Sequence, residues 1–329
     1  MMTSSSEIAI FTEMKTLMLT GMVVLAGTVS GETLVSRNSY LMAVSPDARY
    51  LVYFRDKCCE PDEYREGDLY IYDVREAKSS LLNDHLYILN FVTAGWSRDG
   101  NSFYLSDGDT LHSFSFTSNE KKVVFATDED RVIDFFTVSN NDSLIALNLL
   151  VSDAAQATQQ VILVSLGSQE RKTLYTIPDS SLGEELANRF VFDDETLFLY
   201  LRNLYGCLFS FNLHDGRKET LVERTLGLYD FIYGRFYYAR RQGQDAVLCF
   251  RDQTDTLEHT LMRGTDMRVD FIGKVAGKLA VSLDDNVFLV SDSGYCKKLE
   301  LANSGRFVFV NDSLAVQQRD RDLFFFKLH

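Results

Sequence analysis

The stretch from Tyr40 to Leu82, YLMAVSPDARYLVYFRDKCCEPDEYREGDLYIYDVREAKSSLL, decides the fold. It breaks into four runs rich in Val, Ile, Leu, Phe and Tyr: YLMAV, RYLVYF, DLYIYDV and SSLL. Residues of this kind fill a pleated, half-buried surface, and the Ser, Pro, Asp and Gly clusters between the runs end strands rather than continue them. Ser45, Pro46, Asp47 and Ala48 join the first two runs as a tight turn, because proline presets φ and aspartate can bond the backbone two residues on. Four short strands in succession make one antiparallel unit, which cannot bury both of its faces alone.

Outward from this unit the same rhythm returns. ILNFVTAGWS, NSFYLS, TLHSFSF and KKVVFA form a second unit, and further units open near Val132, Arg189, Leu228 and Arg268. The last stretch, from Arg306 to His329, supplies only three strands, and the open edge of its third would template aggregation. ETLVSR, Glu32 to Arg37, is the missing strand; paired with DLFFFK, Asp322 to Lys327, it completes a seventh unit and latches a ring. Repeats of about 40 residues with four short strands each are the signature of a β-propeller. The expected fold is therefore all-β: seven four-stranded blades, the N-terminal strand closing the last, with six blades as the alternative. The one helix candidate is SSLGEELANR, Ser180 to Arg189, which opens like a capping box.

Two units carry a resemblance. SPDARYLVYF followed by DLYIYDV, and GWSRDGNSFYLSDGDTLHSFSF, resemble the WD-repeat-like propeller motif of periplasmic TolB-type proteins and of the propeller domains of dipeptidyl-peptidase-like proteins. Ser45, Pro46 and Asp47 in one unit, and Trp96, Ser97, Asp99 and Gly100 in the next, stand at that motif's turn between the first two strands. The other units keep the strand rhythm and lose the turn residues, as in SNNDS, FDDET and VAGK. The resemblance implies the fold of most of the chain and no activity.

With 329 residues, 46% of them hydrophobic, the chain has material for one large core, which excludes a disordered tail or a small disulfide scaffold. A formal charge of −14 is the wrong sign for holding a phosphate backbone, so no nucleic-acid partner is expected. Residues 14–31, MKTLMLTGMVVLAGTVSG, have a start-like Met14, a positive Lys15, an apolar run from Leu17 to Ala26 and small residues at Val29 and Gly31. That is the grammar of a secretory signal. Residues 1–31 are thus expected to be removed, with Met14 the true start, leaving one propeller domain over 32–329 in the periplasm or secreted. The apolar run is about half of the ~20 residues a spanning helix needs, so no permanent membrane anchor is expected. LAGT stands where a lipoprotein would carry its cysteine. Five cysteines are an odd set; Cys207 and Cys249 lie in strand-like runs and read as core, whereas Cys58 and Cys59 sit together in a charged loop.

Chemical signatures are scarce. No Gly-x-Ser-x-Gly elbow is present, and no residues remain for a hydrolase domain, which excludes a serine peptidase of the propeller type. SRDGNSF and SDSGYC are imperfect echoes of a sialidase-type Asp box and read as ordinary turns. His85, His112, His214, His259 and His329 are isolated, so neither a local zinc motif nor any other metal or cofactor is expected. What is left is a rim, formed by the connections between second and third strands and between blades. It appears long and polar in sequence, and its candidate binding residues are Arg55, Asp56, Lys57, Glu60, Asp62, Arg240, Arg241, Arg319, Asp320 and Arg321. Binding residues concentrate on loops held by rigid scaffolds. The expected function is an exported, non-enzymatic scaffold that binds a protein or peptide through this rim. The alternative is a propeller enzyme or small-ligand sensor using carboxylates at the channel mouth, drawn from Asp56, Asp107, Asp153, Asp245, Asp285 and Asp320.

Overall fold

The strands implied by the sequence rhythm assemble, in the computed structural model, into seven four-stranded antiparallel sheets. The structure describes residues 32–327 apart from short connecting stretches, the longest being 58–63, 178–185, 291–295 and 300–305. Beyond residue 265 it describes strand backbones and the side chains of Leu279, Val281 and Leu323. In six sheets the strand order follows the chain, and the first strands of neighbouring sheets touch one another. Each first strand therefore faces a common axis, and the fold is a β-propeller. Residues 1–31, the expected signal, lie outside the described residues.

The seventh sheet closes as its sequence requires. Glu32–Ser36 lies antiparallel to Asp322–Lys327, with Glu32 opposite Phe326, Thr33 opposite Phe325 and Leu34 opposite Phe324. The strand edge that DLFFFK would leave open is covered by the N-terminal strand, the usual protection of a propeller's last blade.

The core lies between blades. In the third blade, Ile145, Leu147 and Leu149 face Tyr104 and Leu111 of the second blade, while Ala146 faces Phe190 and Leu199 of the fourth. This is the period-two alternation of a strand buried on both faces. Similar mixed clusters join the first blade to the second through Phe54 and Phe103, and the fourth to the fifth through Tyr200, Tyr229 and Phe236. Each blade is stable only as a neighbour of two others, as in other repeat architectures.

The turns between first and second strands use one device repeatedly. Ser45 Oγ donates to Asp47 Oδ1 at 2.6 Å, and the Tyr50 N–H donates back to Ser45 Oγ at 2.8 Å. Ser97 and Asp99 repeat the pattern at 2.6 Å, with Ser102 N–H donating to Ser97 Oγ at 2.9 Å. In the third blade Ser139 Oγ donates to Asn141 Oδ1 at 2.8 Å, and Leu144 N–H to Ser139 Oγ at 3.0 Å. SNNDS thus keeps the turn with asparagine in the place of aspartate. In FDDET the first position changes instead: Asp193 Oδ1 accepts from Leu197 N–H at 2.7 Å and Phe198 N–H at 2.9 Å. The helix candidate is corrected at its C-terminal part. Leu186 to Arg189 belong to the strand Leu186–Phe192, with Leu186 opposite Asn203, because pairing in the sheet outweighs local helix propensity; residues 180–185 lie outside the described residues.

Candidate functional site

The axis of the ring carries the clearest concavity among the described residues, a cavity of about 280 Å³ along the inner strands of the third, fourth and fifth blades. Phe135, Phe190 and Phe192, packed in the core between the third and fourth blades, border it, and Thr93, Asn140 and Asp230 supply polar groups. Phe135 and Phe190 meet edge to face at 4.4 Å between centroids. Asp230 is 5% exposed, on the inner strand Thr225–Ile232, and its Oδ1 accepts from the Phe231 N–H at 2.8 Å.

A second carboxylate stands behind the wall. Asp134 lies on the inner strand Arg131–Val138, at a register shift between Ile133 and Phe135 that leaves it out of the ladder. Bulges of this kind re-aim side chains beside sites. Asn148 Nδ2 donates to Asp134 Oδ2 at 3.1 Å, and Thr93 Oγ1 donates to the Asp134 carbonyl at 3.2 Å. Asn148 Oδ1, fully buried, has no partner. The strand Val269–Val275 shows the same register shift around Asp270. Neither Asp134 nor Asp230 was among the carboxylates drawn from the sequence, although the signal is there. Asp-Phe recurs in the inner strands of three units, as Asp134-Phe135, Asp230-Phe231 and Asp270-Phe271.

The rim is smaller than its sequence implies. Arg240 and Arg241 belong to the strand Arg235–Gln242, and Gln242 faces Asp245 across a two-residue turn with Gly243 at φ 66°. Arg319 likewise ends a strand and faces Asp322, so only residues 320 and 321 connect them. Leu283 faces Asn286 in the same way. The expected set of long loops is therefore corrected: ladder pairing continues through the charged residues up to two-residue turns. The connections from Asp56 to Tyr64 and from Ile177 to Leu186 are the long ones between the described strands.

The individual candidates have local partners. Arg55 is exposed at the end of Tyr50–Asp56, Asp56 is buried beside it, and Lys57 pairs with Asp68 at 2.6 Å. Arg240 binds Glu258, which also accepts from the Tyr238 hydroxyl at 2.5 Å. Burial pushes the Glu258 carboxyl up, but these hydrogen bonds outweigh it and leave it below its ordinary value. Burial together with Glu258 pushes the nearby Cys249 thiol up to about 11, so it is an inert core thiol. Cys207 is half-buried and free. Asp245 accepts from Thr265 Oγ1 at 2.9 Å. Glu60, Asp62, Asp320, Arg321, Asp153, Asp285, Cys58 and Cys59 lie outside the described residues. The structure therefore does not bring the described rim residues together into one site.

Asp107 is the exception with a defined environment. Its Oδ2 is 2.8 Å from His112 Nε2 and its Oδ1 accepts from the Thr110 N–H at 3.1 Å. Burial raises its pKa, yet the His112 bond and the Thr110 amide prevail and hold it below the ordinary carboxylate value. Among the described residues no three His, Cys, Asp or Glu side chains converge as a metal site.

No protein-family model matches this chain, and no curated protein matches it. Solved structures do. An oligogalacturonate lyase from Vibrio parahaemolyticus superposes with a TM-score of 0.66 at 10% identity, covering 93% of this chain and 96% of that one. An oligogalacturonate lyase in complex with manganese gives 0.65 at 10% identity, over 94% and 97%. Dipeptidyl peptidase 4 of Porphyromonas gingivalis gives 0.60 at 13% identity, over 84% of this chain and 48% of that longer one. Likeness at this identity is likeness of fold. It nevertheless corrects the expectation of a non-enzymatic scaffold, which rested on the single ring, the missing chemical motifs and an open, charged rim. A ring covering nearly the whole length of two lyases shows that no second domain is needed. The described residues offer no ligand set for a metal such as manganese, so no step below runs through one. What the chain shares with these proteins is the propeller, and with it a central channel able to host a site.

Proposed function

We propose that the protein is a propeller enzyme acting on a saccharide bound in the central channel. The observation that carries this reading is a buried carboxyl, Asp230, in a cavity bordered by Phe135, Phe190 and Phe192. Thr93, Asn140 and Asp230 supply polar groups at fixed positions that orient a sugar, and the buried phenylalanines hold rigid the strands that carry them. At about 280 Å³ the cavity holds one or two rings, close to the lower end of known ligand sites, roughly 300 Å³. The lyase neighbours support the substrate class, because they reach the same ring extent without another domain.

Asp230 acts as the acid–base group in this reading. Asp134 is committed to Asn148, so a free carboxylate pair of the kind glycoside hydrolysis uses is not what supports it. A single carboxylate suits elimination, in which a base removes a proton next to a carboxylate and the glycosidic oxygen leaves from the adjacent carbon with the bond's electrons. The export pattern at residues 14–31 supports an activity outside the cytoplasm, where polysaccharide fragments are met.

The test is turnover of neutral and acidic oligosaccharides. New reducing ends with ultraviolet absorbance from a new double bond mean elimination; reducing ends alone mean hydrolysis. Asp230→Asn, nearly isosteric, is expected to lower turnover by roughly 10²-fold or more, the scale of losing a general base. No turnover of any saccharide, or wild-type turnover in D230N, would overturn the reading.

A further inference from the structure

Arg202 ends the half-buried part of the strand Phe198–Asn203, beneath the rim of the fourth blade. Its Nε–H donates to Thr225 Oγ1 at 3.0 Å and its Nη2 to the Thr225 carbonyl at 3.4 Å. Thr225 opens the inner strand of the fifth blade, and both its hydroxyl and its N–H donate to the Gly206 carbonyl, at 2.9 and 2.8 Å. Gly206 has φ +91°, and a Cβ there would stand 2.8 Å from the Thr225 carbonyl. Cys207 N–H donates to Asn203 Oδ1 at 2.8 Å, fixing the same turn. The guanidinium is thus clamped by a tight seam between two blades.

That clamp uses two of the five guanidinium N–H donors. The three left over, both on Nη1 and one on Nη2, make the edge that receives a carboxylate bidentately. Arg49, Arg217, Arg235 and Arg240 each have a carboxylate of this chain. Arg202 has none among the described residues. Its ionisation is depressed by burial, against smaller opposing effects from Tyr229 and Cys207, with no acid contributing. Nη1 is not among the buried polar atoms that lack a partner, so its free edge meets solvent. A half-buried, pre-oriented guanidinium whose open edge meets no acid among the described residues is set to receive an anion.

We propose that this seam is a binding site for a small carboxylate, a sugar acid or a simple organic acid, engaged by the Nη1–Nη2 edge of Arg202. Ligand binding does not depend on the catalytic reading of the channel. The charge of −14 over the whole chain works against anions at long range, so the site selects by short-range geometry rather than by steering.

Titration of the intact protein with sodium galacturonate, galactose, sodium acetate and sodium chloride at matched ionic strength tests it, followed by thermal shift and by NMR of labelled arginine side chains. Galacturonate is expected to raise the melting temperature and move one arginine signal, while galactose and chloride do neither. An equal effect of acetate assigns the site to any small carboxylate; a weaker one assigns it to sugar acids. Arg202→Lys keeps the charge and loses the fork, and is expected to weaken binding about tenfold, the scale of one charged hydrogen bond. Chloride matching galacturonate, or R202K binding as well as wild type, would overturn the proposal. The arginine NMR signal decides on wild-type protein alone if R202K does not fold.

Discussion

At the end of the ring that carries the turns between first and second strands, side chains of one blade bond the backbone of the next. Arg98 and Asp99 donate their N–H groups to Asp142 at 2.6 and 3.3 Å, Arg98 reaches the Asn140 carbonyl, and Asn140 Nδ2 donates to the Asp193 carbonyl at 3.0 Å. At the other end, contact between neighbouring blades is more local. There Lys57 pairs with Asp68 and Asp107 with His112, each within its own blade, and the seam at Arg202 and Thr225 leaves donors unspent. One end is stitched blade to blade by these bonds. The other keeps one charge in hand, which is where a ligand can add something the fold lacks. Satisfied networks rigidify, whereas unsatisfied ones carry function or cost stability.

The largest expected effect comes from breaking closure itself. Deleting Glu32–Ser36 uncovers Phe324, Phe325 and Phe326 along a strand edge, and aggregation or loss of cooperative unfolding is expected. Soluble, cooperatively unfolding protein would show that the ring does not need its latch.

Next is the seam. Gly206→Ala forces a Cβ to 2.8 Å from the Thr225 carbonyl at positive φ, and should cost about 2–3 kcal/mol in denaturant unfolding, within the range for a residue held in a sparsely populated conformation. Gly216→Ala, also at positive φ but with open space around its Cβ, separates the two contributions, since only the backbone strain is present there. Equal losses at both positions would mean that the close approach at the seam does not matter.

On the stitched end, Asp142→Ala removes acceptors for two amides of the neighbouring turn. About 1 kcal/mol is expected from exposed backbone hydrogen bonds of this kind. A double-mutant cycle with Arg98→Ala should show additive losses if the backbone amides, rather than the arginine side chain, make the link.

The smallest effect is a pH dependence at the rim. Asp107 has a folded pKa below its unfolded value, so the native state binds its proton less readily than the unfolded chain. Its contribution is present above the unfolded pKa, about 4, and is lost as pH falls through the folded value. Asp107→Asn should therefore flatten the acid limb of the stability curve without steepening its neutral part. An unchanged acid limb would remove Asp107 from it.

Much of the architecture was legible because strand signals are local. Alternation in YLMAV, RYLVYF and DLYIYDV needs no partner to be recognised, and an unpaired DLFFFK demanded ETLVSR. The turn in SNNDS escaped notice because Asn141 replaces aspartate with the same acceptor oxygen. The rim is shorter than its charged residues suggest because Arg240 and Arg319 look like loop in sequence, yet both stand in paired strands of tight hairpins. The channel carboxylates were passed over as strand residues. Nothing in the triplet Tyr229, Asp230, Phe231 alone says which of its side chains meets a cavity.

The sequence by itself determined the repeating four-strand unit, the closure of the last blade by the first strand and the net charge of −14, because these depend on residue periodicity, on an unpaired edge and on composition. Only the tertiary structure decided that Asp230 borders a cavity, that Asp134 is held by Asn148 and that Arg202 faces Thr225 without an acid. Each of those facts is a meeting of residues from different strands or blades, and the partner, burial and free hydrogen-bonding edge of a polar group exist only once the ring has brought them together.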